Sequence, residues 1–212
     1  MKPKYIQLPK NYISYSQLTL WLADQKRYKD LYFDDRNELR TTNSGQAYGK
    51  IVADALEKGI QTGDVVTDSA MLLLPKYDLA DQEFFAELKT KEGIVNVLCK
   101  PDTMDSKTKA FREYKTGKTA WTKKKAQNHI QMKFYAMGIY LKYGVALKEA
   151  YLDWIETEKD LEGTIRPTGH LESFRVTFLL NDILKMMATT AKVAKEIETA
   201  WAVHVHDPKY DW

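Results

Sequence analysis

Between residues 83 and 115 the apolar side chains recur at every second position, in contrast to the helical spacing that precedes and follows this stretch. Because the side chains of a strand alternate between two faces, a period of two predicts strands. Three short strands are predicted, at residues 83–90, 94–102 and 110–115. Turn-forming residues separate them at 91–93 and 105–107. The stretch therefore predicts a meander of antiparallel strands.

Helical patterns lie on both sides of the predicted meander. Ser14 or Ser16 is a suitable N-cap for a first helix, because apolar residues at helical spacing follow. Further helices are predicted at about 27–40 (ending in a surface loop), 44–58, 123–143 and 181–203. Asn181 or Asp182 is the expected N-cap of the last helix. Two more strands are predicted at 148–156 and 172–180, and residues 60–80 show no clear motif.

No repeat, low-complexity tract or Pro/Gly/Ser linker divides the sequence. We therefore expect a single α/β domain over residues 1–212. Its mixed β-sheet, an antiparallel meander plus further strands, should be flanked by helices. An N-terminal helical segment covers about 13–58, and a C-terminal helix plus tail covers about 181–212.

The composition limits the class of protein and its compartment. Hydrophobic residues make up 44% of the chain and aromatic residues 12%, which indicates a packed globule. The net charge of +3 permits a nucleic-acid partner without requiring one. The single cysteine, Cys99, excludes an internal disulfide and a zinc or iron–sulfur site built from cysteines. Neither a signal peptide nor a membrane span is evident, so we expect a cytoplasmic protein without membrane contact.

Two carboxylates and a lysine are expected to converge on the third predicted strand. Glu113 and Lys115 lie two residues apart, so their side chains point to one face while Tyr114 points to the other. If the second and third strands pair as a hairpin, Asp102 meets them on that face. Carboxylate oxygens and an ammonium group at one point suit a hard divalent cation and the water it activates. This is the chemistry of metal-dependent phosphodiester cleavage.

A second Glu-x-Lys triplet, Glu87-Leu88-Lys89, provides an internal comparison. It lies on the first strand of the meander, has no preceding Pro-Asp at a suitable distance and is not followed by Thr-Gly. We therefore interpret Glu87 and Lys89 as the solvent face of an edge strand.

Short segments between residues 13 and 143 match family motifs in order and spacing. They are Ser14-Tyr15-Ser16-Gln17-Leu18 (S-x-S-x-L), Gly49 to Glu57 (G-x-x-x-H-x-x-x-E), Pro101-Asp102, Glu113-Tyr114-Lys115-Thr116-Gly117 ((D/E)-x-K-T-G) and Gln131 to Tyr135 (Q-x-x-x-Y). Together they resemble the RecB-like branch of the PD-(D/E)XK nuclease superfamily, which includes phage recombination exonucleases and CRISPR-associated adaptation nucleases. The resemblance implies a restriction-endonuclease-like core.

The chain departs from the family pattern on the predicted helix at 44–58. Ala53 stands where many relatives carry a metal-binding histidine, and the iron–sulfur cysteines of some relatives are absent. Because some family members use a helix glutamate instead, the resemblance makes Glu57 a candidate third carboxylate, with Asp54 as the second choice. A solvated or salt-bridged helix residue is the alternative for Glu57.

The resemblance implies a catalytic set of Asp102, Glu113 and Lys115. Asp102 and Glu113 would bind Mg²⁺ or Mn²⁺, and the backbone carbonyl of Tyr114 would be a further ligand. Lys115 would position the attacking water and stabilise the negative charge that develops on the phosphate.

Residues expected to contact DNA follow the third strand. The only dense basic run surrounds Trp121 and consists of Lys118, Lys123, Lys124 and Lys125. Phosphate contact combined with base stacking is one interpretation, and a solvated helix start is the alternative. Gln131 and Tyr135 lie four residues apart and so share one helix face, which in the family looks toward the active site and the substrate strand. Core packing by Tyr135 is the alternative there.

These features predict a metal-dependent DNA nuclease, preferably an exonuclease in recombination, repair or phage DNA metabolism. Two alternatives stay open: a structure-specific or restriction-type endonuclease, and a non-catalytic DNA-binding or assembly module on the same fold. The expected partners are DNA and a single-strand annealing protein or helicase, and a homo-oligomer is also compatible with the sequence.

Overall fold

The structure is a computed structural model of the 212-residue chain. It describes residues 3–40, 44–58 and 60–206, with the backbone alone at residues 53, 56–58, 66 and 70. The α-helices are α1 (Tyr15–Ala23), α2 (Gln25–Tyr32), α3 (Ser44–Lys58), α4 (Val65–Leu73), α5 (Lys123–Gln127), α6 (Ile130–Tyr143) and α7 (Leu180–His206). The β-strands are β1 (Ile13–Ser14), β2 (Leu79–Ala80), β3 (Phe84–Lys89), β4 (Ile94–Cys99), β5 (Thr103–Met104), β6 (Phe111–Gly117), β7 (Glu149–Lys159) and β8 (Ile165–Thr177).

The strands form two mixed sheets flanked by helices, which confirms the predicted α/β class. The first sheet has the order β1-β4-β3, in which β1 is parallel and β3 antiparallel to β4. The second sheet has the order β2-β5-β6-β7-β8, with β6 and β7 parallel and the other neighbours antiparallel. β6 therefore lies inside the second sheet, with a strand on either side of it.

The meander prediction is right for its first hairpin, β3–β4, and wrong for the extent of its second strand. β4 ends at Cys99, and the chain bends at residues 100–102 before β5 joins the other sheet. Pro101 lies at this break, where it has no backbone N–H with which to continue the ladder of β4. The hairpin that carries the third strand is consequently β5–β6, in which Thr103 pairs with Arg112.

The predicted helix at 123–143 is two helices with a break between them. Asn128 follows the end of α5, and its side-chain amide donates to the carbonyl oxygen of Lys124 at 3.0 Å. His129 then takes an extended conformation, which cannot continue the i to i−4 hydrogen bonds of a helix. α6 starts after it and ends at Gly144, whose left-handed φ of 69° confirms the predicted stop.

Helix starts elsewhere follow from local hydrogen bonds. Ser14 is the N-cap of α1, as predicted, because its hydroxyl accepts from the N–H of Gln17 at 3.3 Å. α7 begins at Leu180, one residue earlier than predicted. Asp182, in the first turn, accepts from the N–H of Leu179 at 3.1 Å. The prediction of Asn181 or Asp182 as the N-cap is therefore wrong.

Two further elements differ from the sequence prediction. α4 lies within residues 60–80, where the sequence shows no motif. β8 starts at Ile165, seven positions before the predicted strand, because it pairs with β7 along the hairpin as far as Lys159. α3 has the predicted bounds.

Both faces of β6 are covered by apolar clusters. On one face Phe111 joins the main core, where α6 contributes Phe134 and Met137 and the parallel neighbour β7 contributes Leu152. On the other face Tyr114 joins a second cluster. Its other members are Val52 and Ala55 of α3, Met71 of α4, Leu74 immediately after α4, and Ile155 of β7. Packing on both faces fixes the direction of every side chain of β6.

The C-terminal part of the predicted domain is described as far as α7. Residues 207–212 of the predicted tail lie outside the described part. Over the described residues, no helix combines the length and the apolar character that crossing a bilayer requires.

Candidate active site

Glu113 and Lys115 lie on one face of β6, as the sequence predicts. The Lys115 Nζ donates to Glu113 Oε1 at 2.8 Å, and the two side chains are 26% and 4% exposed. Burial lowers the pKa of Lys115, but the charge and the hydrogen bond of Glu113, with a smaller contribution from Asp102, outweigh it and raise that pKa. Lys115 is therefore an ammonium group at neutral pH.

Asp102 lies beside the part of β6 that the short strand β5 does not cover. Its Oδ2 accepts a hydrogen bond from the backbone N–H of Tyr114 at 2.6 Å. The β5–β6 ladder pairs Thr103 with Arg112 at this end, so the carboxylate takes the place that a longer strand would occupy. The break at Pro101 thus places Asp102 next to β6, the strand that carries Glu113 and Lys115.

Glu113 is held by α6 as well as by Lys115. The side-chain amide of Gln131 donates to Glu113 Oε1 and also lies 3.2 Å from the hydroxyl oxygen of Tyr135. The second oxygen, Glu113 Oε2, is buried and has no hydrogen-bond partner among the described residues. A buried carboxylate oxygen without a partner is costly, and a bound cation would satisfy it.

A cleft of about 550 Å³ opens between α3 and the end of β6. Its lining includes Asp102, Glu113 and Lys115, so the predicted catalytic set converges on one cavity. Gly49 of α3 lies close to Thr116, because a Cβ at Gly49 would be 3.0 Å from the Thr116 hydroxyl oxygen. The family-like glycine therefore permits the close approach of α3 to β6.

The donor set fits a magnesium-like cation held by few protein ligands. Mg²⁺ commonly binds one or two carboxylates and keeps several waters, and Asp102 and Glu113 supply two. Among the described residues, no group of three or more His, Cys, Asp or Glu side chains could hold a metal ion. The side chains of Glu57 and Ala53 lie outside the described part. The roles of Glu57 and of the Tyr114 backbone carbonyl stay predictions.

Residues predicted to contact DNA divide into an exposed and a buried group. The exposed group consists of Lys118, Lys123, Lys124 and Lys125. Trp121 is half-buried, and the Nζ of Lys125 lies 4.1 Å from the centre of its ring. Gln131 and Tyr135 are both 7% exposed, and Tyr135 packs against Phe111. Their contacts with Glu113 and the core favour a positioning role over direct contact with a strand.

Two residues beside the cleft were not singled out as site residues from the sequence. Tyr15 and His129 are half-buried rings with centroids 6.0 Å apart. Burial, together with the positive charges of Lys115 and Lys125, lowers the pKa of His129 to about 4. The sequence signal was available in part, since Tyr15 lies within S-x-S-x-L and His129 precedes Gln131 by two positions.

The second Glu-x-Lys triplet behaves as predicted. Glu87 and Lys89 are exposed on β3, which is the edge strand of the first sheet. Glu87 accepts a hydrogen bond from the hydroxyl of Tyr5 at 2.8 Å. These two residues therefore provide matched controls for Glu113 and Lys115.

Comparison with known proteins supports the fold alone. No family model and no curated protein matches the chain. Among solved structures, the chain is similar to the crystal structure of SSO0001, with a TM-score of 0.52 and 13% sequence identity. The similarity covers 88% of this chain and 76% of that one. At this identity it shows a shared mixed α/β arrangement and carries no statement about activity.

Proposed function

We propose that this chain is a metal-dependent deoxyribonuclease whose catalytic residues are Asp102, Glu113 and Lys115. The state of Glu113 supports the proposal most directly. One of its oxygens accepts hydrogen bonds from Lys115 and Gln131. The other is buried in the wall of the cleft shared with Asp102 and has no partner within the part of the chain that the structure describes. This is the arrangement that a carboxylate ligand with a lysine neighbour requires.

Each residue has a distinct role in the proposed reaction. Asp102 and Glu113 would hold Mg²⁺ or Mn²⁺, which when bound supplies an activated water and withdraws charge from the scissile phosphate. The Lys115 ammonium stabilises the negative charge that develops on the phosphate oxygens. The N–H of Tyr114 fixes Asp102, and Gln131 fixes Glu113, so neither carboxylate has to reorient during the reaction.

Exonuclease action on linear DNA is our preferred form of this activity, and it follows from the motif resemblance. A restriction-type endonuclease would use the same residues on a different substrate. A cytoplasmic location and a single-strand annealing protein or helicase as partner are further parts of the proposal.

Cleavage of end-labelled DNA tests the proposal. Linear single strands, linear duplex and closed circles are incubated with EDTA, Mg²⁺ or Mn²⁺, using the native protein and the variants Asp102→Ala and Lys115→Ala. We expect metal-dependent cutting that falls by about 10²–10³ in each variant. Lys89→Ala and Glu87→Ala, on the edge strand, should cut normally. Loss of linear DNA with survival of circles would identify an exonuclease.

A cation-binding measurement separates a nuclease from a binding module. Because a ligand that binds the native state stabilises it, Mn²⁺ should raise the Tm of the native protein and have less effect on Asp102→Ala. A protein that cuts no substrate and shows no Mn²⁺-dependent shift in Tm would overturn the proposal. DNA binding without cutting would favour the non-catalytic module.

A further inference from the structure

Three aromatic rings form a row beside the cleft, and we name Tyr15, His129 and Trp121 the aromatic strip. The ring centroids of Tyr15 and His129 are 6.0 Å apart, and those of His129 and Trp121 are 5.1 Å apart. All three side chains are half-buried, so each ring keeps some surface exposed to solvent. The ring planes meet at 49° and 74°, so the exposed surface of each ring is a separate contact for a base and the three rings do not form one continuous stack.

Two cavities adjoin the strip and share Thr122. The first, of about 550 Å³, is lined by Tyr15 and His129 together with residues of α5 and the start of α6. The second, of about 500 Å³, is lined by Trp121 together with residues of β8. Both volumes fall in the range of small-molecule pockets, so each is large enough for a nucleotide.

Exposed lysines line both cavities, and the second cavity also contains the carboxylate of Glu172. Lys124 and Lys125 line the first cavity, and Lys123 lines the second. Within the described part of the chain, none of the three forms an ion pair with a carboxylate. Lys123 and Lys124 are exposed and available to phosphate groups, whereas the Nζ of Lys125 lies 4.1 Å from the centre of the Trp121 ring.

The aromatic strip lies near the catalytic residues. Tyr15 is close enough to Lys115 and Glu113 for their charges to affect its ionisation, and Lys115 acts in the same way on His129. On the neighbouring helix, His129 is followed two positions later by Gln131, which contacts Glu113. A strand bound along the strip would therefore lie near the segment that carries Gln131, the residue that contacts Glu113.

We propose that the aromatic strip binds unpaired nucleotides next to the scissile phosphate, so that the enzyme acts on single-stranded or frayed DNA ends. This inference rests on the proposed nuclease function and specifies its substrate. Bases within a duplex are stacked on their neighbours and cannot present a free face to Tyr15 or Trp121, whereas unpaired bases can. The lysines beside the strip hold the phosphates of the same strand.

Binding measured in EDTA tests the inference without requiring cleavage. The anisotropy of a labelled single-stranded oligonucleotide is compared with that of a blunt duplex of the same sequence. We expect Trp121→Leu and Tyr15→Leu to weaken single-strand binding by about tenfold and to leave duplex binding unchanged, because stacking is lost. Trp121→Phe and Tyr15→Phe keep a ring and should retain most of the affinity.

Two controls exclude a general effect of the substitutions. Phe85→Leu removes an exposed ring from the first sheet and should change neither affinity. The Tm of each variant shows whether the fold is retained, and the Phe variants preserve the packing if a Leu variant does not fold. Equal losses for single strand and duplex, or no loss in either Leu variant, would overturn the inference.

The same experiment distinguishes this inference from the nuclease proposal. A protein that cuts DNA but whose strip variants bind normally overturns the inference and supports the nuclease. A protein that binds single strands through the strip but never cuts supports strand binding and overturns the nuclease.

Discussion

At the scale of single residues, the buried carboxylate of Glu113 requires explanation. A charged group in the interior is tolerated only when neighbouring groups compensate for the lost water. Lys115 supplies a charge and Gln131 a hydrogen bond, and both act on Oε1. Oε2 has no partner in the described structure, so the compensation is incomplete. A fold that keeps such a group pre-organised favours ligand binding over maximal stability.

The first prediction concerns the residue that positions Glu113. Gln131→Leu removes the hydrogen bond to Oε1 and should lower activity or metal affinity by about 10–100-fold, because partners of metal ligands hold them in place. The measurement is the cleavage rate as a function of Mn²⁺ concentration, in which the half-saturating concentration should rise. Tyr135→Phe keeps the Gln131–Glu113 contact and should have a smaller effect. An unchanged Mn²⁺ dependence in Gln131→Leu would contradict the positioning role.

The second prediction concerns a buried ion pair near the site. Arg112 contacts both carboxylate oxygens of Asp153, at 2.7 and 2.8 Å, and also the hydroxyl of Ser173 at 2.9 Å. Burial lowers the pKa of Arg112, but the hydrogen bonds and charge of Asp153 raise it overall. Asp153→Leu should reduce the free energy of unfolding in urea by about 3–5 kcal/mol, because the guanidinium is left buried and unpaired.

The double variant Arg112→Met/Asp153→Leu is the control for this pair. It removes both charges and should recover most of the lost stability. A double variant less stable than Asp153→Leu alone would show that the pair is not the cause.

At the scale of elements, the sequence predicts what is local and misses what depends on distant partners. Alternation along one strand suffices to place Glu113 and Lys115 on the same face. Pro101 signals the end of β4, but the transfer of the next strand to the other sheet depends on pairing with β6. The apolar spacing of residues 123–143 does not reveal the break at His129. The His129 ring contacts Trp121, a residue before α5, and a periodic pattern along one helix does not record such a contact.

The same reasoning explains the elements that were missed. α4 has apolar residues around its circumference, including the exposed Leu72 and Leu73, so its sequence shows no clear helical period. β8 contains Pro167 and Gly169, which mark turns more often than strands. Pro167 nevertheless pairs with Thr157 of β7, whereas Gly169, with a φ of 92°, lies at the irregularity of the ladder between Ile155 and Thr157. The condition set for Asp102, that the second and third predicted strands pair, is not met, because β5 and not β4 pairs with β6. Asp102 instead reaches β6 through the N–H of Tyr114.

The third prediction tests how α6 packs on the first sheet. A Cβ at Gly138 would overlap the sulfur of Cys99 in β4, and both residues are fully enclosed by the core. Gly138→Ala should therefore destabilise the protein, because overpacking costs about 1–3 kcal/mol and outweighs the gain of about 1 kcal/mol in helix propensity. Urea unfolding measures the change.

Cys99→Ala provides the matched background. With the sulfur removed, Gly138→Ala should cost less, so the double variant should be more stable than the sum of the single effects predicts. The coupling expected for two residues in contact is about 0.5–3 kcal/mol. Additive effects would show that the two side chains do not compete for the same space.

At the scale of the whole molecule, α6 connects the parts on which the proposals depend. The first turn of α6 carries Gln131, which contacts Glu113 at the cleft. His129 of the aromatic strip immediately precedes the helix. Further along α6, Gly138 packs against the first sheet, and the sulfur of Met137 accepts a hydrogen bond from the hydroxyl of Thr190 in α7. Because one rigid helix spans these contacts, the position of the carboxylate site is coupled to the packing of the core.

The fourth prediction concerns His129 of the aromatic strip and the way its protonation makes the stability of the protein depend on pH. The pKa of His129 is lowered from 6.5 to about 4, first by burial and then by Lys115 and Lys125. Between these two values the unfolded chain binds a proton that the native protein does not bind, so stability falls as pH decreases from about 6.5 to about 4. His129→Asn removes this penalty and keeps a polar residue that is favoured at the start of α6.

Urea unfolding at pH steps from 7 to 4 measures the effect as a difference between proteins, because carboxylates also titrate in this range. Above about pH 6.5 the free-energy difference between the native protein and His129→Asn should be constant. Below that value it should shift in favour of the variant, since only the native protein retains a histidine that resists protonation at this position. His170→Asn, at an exposed position, should give a curve parallel to that of the native protein. A constant difference between native and His129→Asn over the whole range would mean that neither burial nor the charges of Lys115 and Lys125 oppose protonation of His129.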